Sequence, residues 1–138
     1  MSAPTEVRDV LDSITAAWDA GDAAAFAAPF TDDCTYVVFD GTVLHGRQAV
    51  EEVHRFLFDG PLKGSTLTPP PGTPEPEVTL REIAPGVVHV VNATGGVLPA
   101  GAADVPAERV SVVSYLLVRA DSGWQVAAFQ NTRRAPRS

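Results

Sequence analysis

Val7, Val10, Leu11, Ile14, Ala17 and Trp18 recur at the spacing of one helix face. The spacing predicts a helix over residues 5–20, with Thr5 as N-cap, Glu6 and Asp9 in its acidic first turn, and Gly21 to end it. Asp22 then predicts the cap of a short helix over 23–28, which Pro29 limits. A strand over 35–39 and a partner over 42–45 flank Asp40-Gly41, a strong hairpin signal. Val50, Val53 and Leu57, widened by Ala49 and Phe56, predict a third helix over about 47–58. Residues 62–68 read as the start of a strand, and 77–83, 87–94, 108–119 and 123–133 as four strands. Between them lie a Pro-rich loop at 69–76, with five prolines in eight residues, and a Gly/Ala-rich loop at 95–106. The first is expected to be stiff, exposed and without function, the second mobile and able to flap over a pocket mouth. Helices first and strands after predict an α+β fold: a curved antiparallel sheet of about five to six strands on three N-terminal helices, in one domain over residues 1–138 with its core over about 5–134.

The last strand is where polarity breaks the pattern. Strict alternation puts Trp124, Val126, Ala128 and Gln130 on one face and Gln125, Ala127, Phe129 and Asn131 on the other. Whichever face turns inward carries an amide with it, and a buried amide needs a partner. Gln130 and Asn131 are therefore structural brackets or ligand contacts. On strand 87–94, His89 shares a face with Val87 and Val91, and Asn92 shares the other with Val88 and Val90, so these two compete for a pocket position. His54 stands at the edge of the third helix's apolar stripe. It faces either a cavity, as acid, base or donor, or a local partner at the helix–sheet boundary. Tyr115 suits a pocket wall or the core; Tyr36 aligns with Val38, and Phe39 with Val37. Trp18 reads as core.

Composition narrows the function. Hydrophobic residues make up 45% and charged residues 20%, as in a globular domain with a real core. A net charge of −7 argues against nucleic acid, whose phosphates need Lys and Arg. The basic run Arg133-Arg134-Ala135-Pro136-Arg137 reads as a solvated end. Cys34 is the single cysteine, expected to be small, buried and unreactive, and no internal disulfide can form. No secretory h-region or bilayer-length apolar run is present, so a cytoplasmic location without membrane contact is expected. No dinucleotide or Walker motif and no metal-ligand spacing stands out, so neither a cofactor nor a metal is expected.

Three segments together carry a family resemblance. They are residues 17–34, from Ala17-Trp18-Asp19-Ala20-Gly21-Asp22 to Asp32-Asp33-Cys34; Gly41 with His45-Gly46-Arg47-Gln48-Ala49-Val50 and His54; and Gly123-Trp124-Gln125-Val126 with Ala128-Phe129-Gln130-Asn131-Thr132-Arg133. Together they resemble the nuclear transport factor 2-like (SnoaL-like) superfamily over about residues 5–134. The ending Ala128 to Arg133, with Phe58-Asp59-Gly60-Pro61-Leu62-Lys63-Gly64-Ser65, is similar to SgcJ/EcaC-type proteins, several of them from enediyne antibiotic biosynthesis. The resemblance implies a cone-shaped barrel with a deep apolar pocket, and a homodimer through the outer sheet face. It does not choose the chemistry, because the superfamily includes isomerases, cyclases, dehydratases and non-catalytic domains. The position that matches the aspartate base of ketosteroid isomerase is Val38 here, which speaks against that route.

The functional expectation is a pocket that folds, cyclises or modifies an apolar polyene or polyketide without a bound cofactor. His54 is expected as proton shuttle, with Gln130 and Asn131 as carbonyl orienters. Trp18, Phe26, Phe30, Phe39 and Phe58 are expected as apolar lining or the core behind it, with Tyr36, His89 and Tyr115 next in line. The alternative is a carrier that holds the intermediate for a polyketide synthase or accessory enzyme. A purely structural dimerisation domain is the third reading.

Overall fold

The structure, a computed structural model, describes residues 3–135. The end of the basic run, residues 136–137, lies outside them. Helix α1 (Ala3–Asp19) buries Val7, Ile14, Ala17 and Trp18, the stripe the spacing predicts. It begins two residues before Thr5, so Thr5 lies in the first turn and is not its N-cap. Gly21 ends it as expected. At φ 67°, its N–H reaches Trp18 O at 2.8 Å while Asp22 N–H reaches back to Ala17 O at 2.9 Å, a double closure that a left-handed residue permits. The Asp22 carboxylate accepts from Ala25 N–H at 3.0 Å and caps α2 (Ala23–Ala27). Strand β1 (Phe30–Val37) and β2 (Val43–His45) close around Asp40, whose carboxylate accepts from Thr42 N–H at 2.9 Å. That bond holds the exposed Asp40 carboxyl below its usual pKa. Helix α3 (Arg47–Asp59) follows, then β3 (Val78–Ala84), β4 (Val87–Gly96), a 3₁₀ turn at Ala107–Arg109, β5 (Val110–Ala120) and β6 (Gly123–Arg133).

The six strands form one sheet in the order β2-β1-β6-β5-β4-β3. The expected α+β architecture is present, with two local differences. The β1–β6 pair, second and third in that order, is parallel while every other pair is antiparallel. Residues 62–68 make a turn with a single bridge, Thr66 to Leu98, and no strand.

Register shows which face is which. Val88, Leu117 and Val126 stand side by side, then Val90, Tyr115 and Phe129, then Asn92, Val113 and Asn131. Those in the first row are buried, and the core they join includes residues from all three helices, so this is the inner face. A bulge in β6 breaks the expected alternation. Leu116 pairs with Ala128 but Leu117 pairs with Val126, which leaves Ala127 extra. Trp124 and Val126 point inward before the bulge; Phe129 and Asn131 do so after it. Gln130 consequently does not share a face with Trp124 and Val126. It lies exposed on the outer side opposite Val37 and Ser114.

Candidate functional site

Above the sheet's inner face sits an aromatic cluster built by α1, α2, α3 and β1. Trp18, Phe26, Phe30, Tyr36 and Phe58 are all buried. His54 stands among them, 2% exposed, with its ring centroid 4.3 Å from Phe26 and 5.2 Å from Tyr36. Its Nδ1 lies 2.7 Å from Val50 O and its Nε2 3.2 Å from the Tyr36 hydroxyl. A carbonyl only accepts, so Nδ1 carries the hydrogen and Nε2 accepts from Tyr36 O–H. Burial pushes the His54 pKa down to about 4, against the opposing pull of the Val50 carbonyl, so the ring is neutral. Burial and the neighbouring Tyr115 raise the Tyr36 phenol well above its ordinary value. Both ring nitrogens of His54 are thus engaged inside the core. In this arrangement neither ring nitrogen is open to a ligand, as the expected proton shuttle would need.

The open space lies elsewhere. A cavity of about 940 Å³ runs between α1, the Pro-rich loop, the end of β4 and residues 104–110. That volume is in the range of small-molecule sites. Leu11, Val78, Val90, Val105 and Val110 give it apolar walls; Tyr115 and Asn92 are polar groups on its sheet side. Its charged residues, among them Arg8, Asp12, Glu75 and Asp104, are exposed and stand at the rim. Phe129, edge-on to Tyr115 at 5.0 Å and stacked on Tyr36 at 4.2 Å, links cavity and cluster.

The Pro-rich loop, expected to have no role, is one wall of this cavity through Pro69, Pro70, Pro74 and Pro76. The end of α1 holds it there. Trp18 Nε1 donates to the Ser65 hydroxyl at 3.1 Å, and that hydroxyl donates to Leu62 O at 2.6 Å. The Asp19 carboxylate accepts from Leu67 N–H at 2.6 Å and from the Thr68 hydroxyl. Thr66 and Leu98 then exchange backbone hydrogen bonds at 3.0 and 2.9 Å, tying this loop to the Gly/Ala-rich one. Gly95, Gly96 and Val105 of that second loop, expected to flap over a pocket mouth, also line the cavity.

The expected site residues therefore divide. Trp18, Phe26, Phe30, Tyr36, His54 and Phe58 come together, but as core behind the cavity. Tyr115 lines it, and so does Asn92, one of the two competing candidates on β4. Phe39 is 45% exposed in the β1–β2 turn, its ring 3.5 Å from the Arg133 guanidinium carbon, so it is no part of the lining. His89 lies on the outer face beside Arg81 and Leu116, because Val88 and Val90 take the inner one. The alternation that set His89 against Asn92 resolves to Asn92. Leu11, Val78 and Val110 were not singled out as site residues, although Leu11 belongs to the apolar stripe of α1 and Val78 sits opposite Asn92 on the inner face. Among the described residues no group of three or more His, Cys, Asp and Glu gathers as a metal site, and no helix is long and apolar enough to cross a membrane. Cys34 has no exposed surface, and burial raises its thiol pKa.

Asn131 is half-buried on the inner face beside Val113, and among the described residues its buried Oδ1 has no hydrogen-bond partner. An unpaired buried acceptor lowers stability. Asn131→Leu is expected to stabilise the unliganded protein by about 1 kcal/mol in urea unfolding; a loss of similar size would mean that the amide makes a compensating bond.

The comparisons with known proteins agree with this geometry. The sequence profile of the SnoaL-like domain matches residues 1–130. No curated protein matches. Among solved structures, a domain of unknown function with a cystatin-like fold from Nostoc punctiforme is 27% identical, with a TM-score of 0.84 over 99% of this chain and 81% of its own. Aln2 from a Streptomyces species is 23% identical, with a TM-score of 0.77 over 96% of this chain and 93% of its own. A protein of the NTF2-like family from Streptomyces avermitilis, described as a candidate dehydratase, is 13% identical with the same TM-score of 0.77, over 96% of both chains. With the profile spanning nearly its whole length, and the three-helix, six-stranded cystatin-like fold beneath it, this chain belongs to the SnoaL-like domain family.

Proposed function

We propose that the protein takes an apolar polyene or polyketide intermediate of antibiotic biosynthesis, of the enediyne kind, into the 940 Å³ cavity and directs its folding or cyclisation without a bound cofactor. The cavity carries this reading: apolar walls from α1, β3, β4 and β5 with few polar groups on the sheet side suit a long, mostly hydrocarbon ligand. The likeness of residues 58–65 and 128–133 to SgcJ/EcaC-type proteins supports the enediyne assignment. Control would come from shape and exclusion of water, which restrict the conformers a flexible chain can adopt. One observation favours a second reading, a carrier for a partner enzyme: Asp12, Glu75, Glu77 and Asp104, the carboxylates of the lining, are all exposed. Co-expression with a polyene-producing synthase separates the two. An altered product profile with little retained ligand supports direction of folding. A retained polyene with an unchanged profile supports the carrier. Neither change nor retention overturns both.

We also propose a homodimer through the outer sheet face, in a cytoplasmic setting. Val91, Val112, Leu116 and Val118 stand there beside His89, Ser114 and Gln130. Light scattering is expected to give twice the 14.5 kDa chain mass, and Leu116→Arg to give the chain mass itself. A monomeric parent protein would end the dimer reading.

A further inference from the structure

The chemistry of the ligand can be read from the two polar side chains on the cavity's sheet side, Tyr115 and Asn92. Tyr115 stands opposite Val90, and Asn92 opposite Val113, so they are diagonal neighbours on one face of adjacent strands. Diagonal neighbours on a sheet lie within reach of aromatic and long side chains. A local bend holds Asn92 in place: the register of β4 against β5 slips between Asn92 and Gly95. Asn92 Oδ1 closes this bulge, accepting from Thr94 N–H at 3.0 Å with the Thr94 hydroxyl at 3.3 Å.

That bond also settles what Asn92 can offer. Its oxygen is occupied by Thr94, and among the described residues its Nδ2 hydrogens have no acceptor. Asn92 is left as a donor only. The Tyr115 ring is braced against Phe129 at 5.0 Å, and its hydroxyl likewise has no partner within the described chain. Burial raises this phenol to about 12, so it keeps its hydrogen at any physiological pH. A neutral phenol donates more readily than it accepts. Two donors therefore stand together between apolar Val78, Val90 and Val110. A pure hydrocarbon seated there would strip both of water and give nothing back. A carboxylate would meet a rim whose four carboxylates, Asp12, Glu75, Glu77 and Asp104, outnumber its two guanidiniums, Arg8 and Arg134, on a chain of net charge −7.

We propose that Tyr115 and Asn92 form a two-donor seat for the carbonyl oxygen of an uncharged ligand, so that the molecule held here is a ketone or quinone and not an unfunctionalised polyene. The proposal rests on the cavity being the ligand site. Acetylnaphthalene and isopropylnaphthalene serve as probes of nearly equal shape, one with the carbonyl and one without. Fluorescence titration of the parent protein is expected to show about tenfold tighter binding of the ketone, as two neutral hydrogen bonds to a buried acceptor imply. Tyr115→Phe keeps the ring on Phe129 and removes the hydroxyl. Asn92→Asp keeps the oxygen for Thr94 and removes the amide donor. Each is expected to reduce the preference several-fold, with an unchanged thermal transition showing that the fold is intact. Equal binding of both probes to the parent protein, or a preference that survives both substitutions, overturns the seat while leaving the cavity as a site. Binding of neither probe overturns the cavity reading and the seat with it.

Discussion

Alanine in place of Phe30 is expected to destabilise the protein by about 3–5 kcal/mol. Phe30 has no exposed surface, and its ring centroid lies 5.8 Å from both Phe26 and Tyr36. Removing the ring leaves a hollow between α2 and β1 that these two neighbours, themselves wedged against His54, cannot close. Set against a typical total stability of about 5–15 kcal/mol, this change brings the domain near the limit of folding. Phe39→Ala is the contrast. Its ring is 45% exposed and meets chiefly the Arg133 guanidinium, so about 1 kcal/mol or less is expected. Urea unfolding of both variants measures the difference; equal losses would contradict the placement of Phe30 in the core and Phe39 outside it.

The second large effect is a loss of stability in mild acid that originates at His54. In the folded protein its pKa is pushed down to about 4, by burial among Trp18, Phe26, Tyr36 and Phe58. In the unfolded chain it returns to about 6.5. Above that value both states hold a neutral ring and no stability is lost. As the pH falls from about 6.5 towards 4, the unfolded chain binds the proton first. Stability then drops by roughly 3 kcal/mol in all, and this contribution levels off once the folded ring is protonated too. Urea midpoints measured from pH 7.5 down to about pH 4, for the parent protein and His54→Gln, isolate the effect, since carboxylate titration is common to both. The parent is expected to lose stability more steeply across this window. Parallel curves would show that His54 is protonated as easily inside the core as outside it.

What the chain discloses without a structure is mostly local. The closure at Gly21, the Asp22 cap, the Asp40-Gly41 turn and the extent of β6 depend on residues within a few positions of each other, and their chemistry is visible in one stretch. The inward face of β6 is not visible in that way. Ala127 and Ala128 are alike, and nothing in the residues themselves says which is the extra one; only pairing with Leu116 and Leu117 does. That single bulge decides that Asn131 turns inward and Gln130 outward. His54 illustrates a different limit. Its position on the stripe's edge is readable, but the partner that occupies Nε2 is Tyr36, on a strand eighteen residues away. The Pro-rich loop gains a role only because Trp18 and Asp19 reach across nearly fifty positions to hold its start. The cavity lies where such long-range contacts meet, and of the candidates named from the sequence only Tyr115 and Asn92 reach it.

The most direct test of the cavity as ligand site is native mass spectrometry of the protein isolated from cells that make a polyene or polyketide, with Val78→Trp beside the parent. Val78 stands on the inner face of β3 opposite Asn92, and an indole there would fill the cavity from its wall. The parent is expected to carry an added small-molecule mass, and the folded variant to lack it. An equal added mass on both proteins, or on neither, would contradict the cavity as the binding site.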